Sequence, residues 1–124
     1  MKKMFVAIPP KYGMTHEELE AFRKCVEETA YRAITQIGEY CEIDTSNDFC
    51  LTEAAETYYD LQGITMPFNR MYVGDCMKEM CDSDYAVFGT GWESSRECRA
   101  LRHVAEELGI PILEMSADKE GVKD

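Results

Sequence analysis

The stretch "DYAVFGTGWESSRECRALRHVAEELGIPILEM" constrains this chain more than any other. An apolar run, "YAVFG", meets a turn holding Gly89 and Gly91, and Ser94 or Ser95 follows where a helix needs an N-cap. Cys98, Leu101, Ala105 and Leu108 then recur at helical spacing, with Val104 at their border, until Gly109 supplies a stop. A second apolar run, "IPILEM", comes after it. Two short apolar runs joined by an amphipathic helix form the unit that lays neighbouring strands parallel, because such strands need a long crossover.

The rest of the chain repeats this grammar. "MFVAI", residues 4–8, reads as a buried strand ended by Pro9 and Pro10. Thr15-His16-Glu17-Glu18 fits a capping box, and Leu19, Phe22, Val26, Ala30, Ala33 and Ile37 step by three and four behind it to Gly38. "YCEID" reads as the second strand, "TSND" as a loop, 53–61 as a short helix and 68–81 as a longer one. Strand, helix, strand, helix, helix, strand, helix, strand predicts an α/β parallel sheet with helices on both faces. Ligands of such sheets sit beyond the carboxyl ends of the strands, which points to Pro9–Gly13, Asp44–Asp48 and Gly89–Glu93. We expect one domain over 1–116 and a charged, frayed tail over 117–124.

Charge narrows the partners. Carboxylates outnumber Lys plus Arg 24 to 13, for a net charge of −11, so a nucleic acid polymer is not expected as a ligand. No run of 18 apolar residues is present and the N-terminal apolar run is short, so no membrane partner is expected and the expected location is the cytoplasm. Six cysteines lack CxxC spacing and have only His16 and His103 beside them, which favours buried free thiols over disulfides or a metal site. No metal and no cofactor are expected. The four methionines between 66 and 80 suit core filling, or a pliable partner surface.

In the "GTGWESS" turn, amides of Gly89 to Ser95 and the positive end of a helix could meet an anion. A tight turn needs the same glycines, so the pattern alone leaves both readings open. Trp92 could stack on a base or cap the core. Arg96 and Arg99 are close neighbours around the helix and could reach a phosphate, or pair with Glu93, Glu97 and Glu106; Arg102 drifts off toward the surface. Leu101 faces the sheet.

The segment from Cys81 to Ile112 resembles the nucleoside 2-deoxyribosyltransferase-like family, in particular a small branch frequent in bacteriophages and bacteria. Gly91, Trp92, Glu93, Ser95, Arg96, Cys98, Arg99, Ala105, Gly109 and Ile110 match that branch, and "VAIPPKYGMTHEE" resembles its first strand and Pro-containing loop. The resemblance implies a flavodoxin-like three-layer α/β/α fold with a four- to five-stranded parallel sheet, a nucleoside or nucleotide ligand, and a homo-oligomer. In the family's enzymes a helix glutamate captures the anomeric carbon, as an oxocarbenium-like centre requires. Here that position is Leu101, Glu97 replaces a glycine, and Pro9-Pro10 replaces Pro-Met.

A leucine cannot capture a carbocation. The resemblance therefore implies a non-catalytic receptor for a nucleotide-like small molecule, with Pro9, Lys11, Tyr12, Gly89, Gly91, Trp92, Glu93, Ser94, Ser95, Arg96 and Arg99 as candidate contacts. By analogy with phage genes, one version sequesters a host-defence signal such as a cyclic ADP-ribose or cyclic dinucleotide, in the cytoplasm of a bacterial host. An enzyme alternative would use Glu97 or Glu93 as the carboxylate for N-glycosidic cleavage or deoxyribosyl transfer. A third alternative is a protein-binding module.

Overall fold

The computed structural model describes residues 1–115; the expected tail over 117–124 lies outside the described residues. The strands are β1 (Lys3–Ala7), β2 (Glu42–Asp44), β3 (Tyr85–Phe88) and β4 (Ile112–Glu114). The helices are α1 (His16–Ile37), α2 (Ala55–Leu61), α3 (Phe68–Cys81) and α4 (Arg96–Leu108), in the expected order along the chain. All strand pairs are parallel and their spatial order is β2-β1-β3-β4, a flavodoxin-like α/β/α arrangement with four strands.

Alternation along the two central strands builds the layers. Met4 and Val6 of β1 and Val87 of β3 pack with Val26, Ala30 and Ala33 of α1. Phe5 and Ala7, with Ala86 and Phe88, face the other way onto Tyr72, Cys76 and Met80 of α3 and Cys98, Leu101 and Ala105 of α4. A strand buried on both faces must be apolar throughout, and the run "MFVAI" meets that demand.

Local signals set the helix ends. Thr15 accepts from the Glu18 amide while the Glu18 carboxylate accepts from the Thr15 amide, completing the capping box. Gly38 and Gly109 end α1 and α4 in left-handed conformation, at φ 87° and 73°. Ser95, rather than Ser94, caps α4 by accepting from the Cys98 amide.

Three expectations need correction. Leu108 is 61% exposed rather than inward, because the buried stripe of α4 ends at Ala105, one turn earlier. Cys41, Cys50, Cys76 and Cys98 are buried free thiols, but Cys25 and Cys81 are exposed. The methionines divide: Met80 is fully buried in the core and Met66 is exposed. No described helix is long and apolar enough to cross a membrane.

Candidate functional site

The connection from β1 departs toward β2 and that from β3 toward β4, so the loops after these adjacent strands diverge and leave a crevice at their carboxyl ends. Pro9 and the glycine turn face each other across it: a Cβ on Gly91 would lie 3.5 Å from Pro9 Cγ. Gly91 holds φ 88°, a conformation that favours glycine. The loop after β1 is clipped by a parallel bridge, in which the Met14 amide donates to Leu51 O at 2.8 Å and the Glu53 amide to Met14 O at 2.9 Å. That clip fixes Tyr12 two residues upstream.

The turn offers fewer donors than its glycines suggest. Gly89 is buried and its amide donates to Ala7 O at 2.9 Å; a Cβ there would stand 2.6 Å from Ile8 Cγ2. Gly89 is thus a close-packing glycine, which corrects its expected part in ligand contact. The amides of Trp92, Ser94 and Ser95 close 3₁₀-type bonds onto Gly89, Gly91 and Trp92. Those of Thr90, Gly91 and Glu93, with Arg96 and Glu97 in the first turn of α4, have no intramolecular acceptor among the described residues.

Beside these amides, the Tyr12 hydroxyl donates to Glu97 Oε2 at 2.5 Å, and Ser95 Oγ lies 3.4 Å from Glu97 Oε1. Burial, then the hydrogen bond to Glu97, push the Tyr12 phenol well above the ordinary tyrosine range. Lys11, expected to close over a ligand, is instead paired with Glu18 in the first turn of α1. Arg99 donates from Nη1 to Glu93 O at 2.9 Å, bracing the turn. Arg96 is exposed and its guanidinium has no ion pair or hydrogen bond among the described residues. It is the cation at this turn left for an incoming anion.

Trp92 caps the core, its ring centroid 6.2 Å from that of Phe88. Arg102, expected to serve the surface, stacks with its guanidinium carbon 5.3 Å from the Trp92 ring centroid and donates to Glu114 at the end of β4. Stacking against the indole is also a signal that helical periodicity could not carry. Leu101 is fully buried in the sheet-facing core, as its place on the stripe predicts.

Thr45, Ser46 and Asp48, in the loop after β2, line a cavity of about 260 Å3 against α1. No cluster of His, Cys, Asp and Glu suited to a metal occurs among the described residues. No family model, curated protein or solved structure gives a significant match to the chain. The likeness to deoxyribosyltransferases therefore rests on its motif residues alone.

Proposed function

We propose that this protein holds a nucleotide-like small molecule at the crevice between the loops after β1 and β3, and does so without cleaving it. The observation that carries this reading is the conjunction of amides at Thr90, Gly91 and Glu93 with the Arg96 guanidinium at the start of α4, none of which has a partner among the described residues. Those donors and the positive helix end suit a phosphate or ribose oxygens. A protein of net charge −11 repels anions over most of its surface, so such a ligand needs a local receptor of this kind. The fully buried Leu101 offers no group to a sugar carbon. Calorimetry with nucleoside monophosphates, ADP-ribose derivatives and cyclic dinucleotides tests the reading: saturable binding that Arg96→Ala weakens supports it. Failure of the whole panel at micromolar concentration overturns it.

One observation favours a second reading. Glu97 is half-buried and held by the Tyr12 hydroxyl, the arrangement of an oriented carboxylate, and could attack or stabilise an anomeric centre. Chromatography for free base after incubation with deoxynucleosides, deoxynucleotides and NAD decides it. Release of base that Glu97→Gln abolishes would replace the binding reading.

A further inference from the structure

The cavity against α1 is not used by the site described above. Its apolar walls are Val6 from β1, Ile43 from β2, Phe22 with Val26 from α1, and the ring of Tyr72 from α3. Its polar side comes from Arg23, Glu27, Asp48 and the hydroxyls of Thr45 and Ser46. At about 260 Å3 it falls just under the usual range of ligand pockets, which starts near roughly 300 Å3, and suits a compact molecule.

The charges on that polar side select the occupant. Arg23 is already engaged, with Nε and Nη2 donating to the two carboxylate oxygens of Asp48 at 2.8 and 2.9 Å. The Glu27 carboxylate has no hydrogen bond or ion pair among the described residues. The Arg23–Asp48 pair cancels, so the charge left on the lining is that of the Glu27 carboxylate, which repels an anion. A wholly apolar guest would strip water from Glu27 and return nothing for it. An ammonium group answers both conditions, for it donates to Glu27, Asp48 and the Thr45 hydroxyl while the Phe22 ring favours a neighbouring cation.

We propose that this cavity binds a small organic cation: a primary amine on a compact apolar body, the body against Phe22, Val26 and Ile43 and the ammonium toward Glu27 and Asp48. The proposal does not depend on the nucleotide reading, because it uses different residues and a ligand of opposite charge.

Three probes of one shape and different charge test it on the full chain: 2-phenylethylamine, 2-phenylethanol and phenylacetate, titrated calorimetrically at neutral pH. Saturable binding of the amine is expected, with the alcohol weaker by about tenfold and phenylacetate weaker still. Glu27→Gln should bring the amine to the affinity of the alcohol. Thr45→Trp, a change at an exposed lining position, should block all three probes while circular dichroism shows the fold retained. Arg96→Ala should leave amine binding unchanged, so failure at the turn and failure at the cavity are read separately. Equal affinity for amine and alcohol, amine binding that survives Thr45→Trp, or no saturable amine binding up to about 10 mM, where occupancy no longer reports a built site, would each overturn the proposal.

Discussion

Tyr12 and Glu97, 85 residues apart in the chain, meet in a 2.5 Å hydrogen bond that ties the loop after β1 to the first turn of α4. Tyr12→Phe removes the donor and leaves a half-buried carboxylate short of a partner. A loss of about 1–3 kcal/mol in urea unfolding is expected, in the range for hydrogen bonds to charged groups. Glu97→Gln, which keeps an acceptor, should lose less. Equal stability of wild type and Tyr12→Phe would show that the bond is not held in solution.

The same contact makes stability depend on alkaline pH. Burial first raises both phenols, with the Glu97 hydrogen bond adding to the rise at Tyr12 and the Cys76 thiol to that at Tyr72. A folded pKa above the unfolded one contributes stability that is present below the unfolded value, near pH 10, and is lost as pH rises from there toward the folded value. Absorbance at about 295 nm, the tyrosinate band, should show Tyr12 and Tyr72 ionising only with unfolding. Ionisation of Tyr12 and Tyr72 in the still-folded protein would contradict this.

Restoring a glutamate at position 101 should not restore chemistry. Leu101 has no exposed surface, so Leu101→Glu would bury an unpaired carboxylate and destabilise by more than Leu101→Ala, itself expected to cost about 2–5 kcal/mol. Thermal denaturation of the two variants ranks them. A stable Leu101→Glu protein that releases free base would refute the packing argument.

The two turn glycines should fail for different reasons. Gly89→Ala places a methyl 2.6 Å from Ile8 Cγ2, an overpacking cost of about 1–3 kcal/mol. Gly91→Ala meets nothing nearer than Pro9 Cγ at 3.5 Å but must hold φ 88°, a cost of about 1–2 kcal/mol. Pairing each with Ile8→Ala, which removes Cγ2, separates the two by unfolding: Gly89→Ala and Ile8→Ala together should cost less than their sum, whereas Gly91→Ala should add to Ile8→Ala in full.

Thiol labelling divides the cysteines. Cys25 and Cys81 are exposed and should react at once with a disulfide reagent. Burial pushes Cys50 and Cys98 up to about 11 and Cys76 up to about 12, and raises Cys41, so these four should stay protonated and react only as the chain opens. Six equally fast thiols would mean that the core is not packed as described.

Sequence legibility followed the range of the interactions involved. Thr15, Gly38 and Gly109 act on backbone within a turn of themselves, so those helix ends could be read from spacing, while the choice between Ser94 and Ser95 needed the fold to show which hydroxyl meets the Cys98 amide. Leu101 was readable because it stands in the apolar stripe of α4 with Cys98 and Ala105. Leu108 was not, since its exposure depends on where that sheet runs out beneath the helix. Tyr12 was a candidate contact, but its bond to Glu97 exists only once the topology places β1 beside β3. The stacking of Arg102 on Trp92 and the closing of a cavity by Arg23, Ile43 and Asp48 likewise join residues that no local period connects.

The bridge at Met14 joins the loop beside the crevice to the wall of the cavity. From Tyr12 the chain runs two residues to Met14, whose amide holds Leu51 O; the Leu51 amide holds Asp48 O, and Asp48 grips Arg23 at the cavity. Tyr12 and Asp48 are held by one short tether, so loss of the Met14 bridge would loosen the crevice and the cavity together.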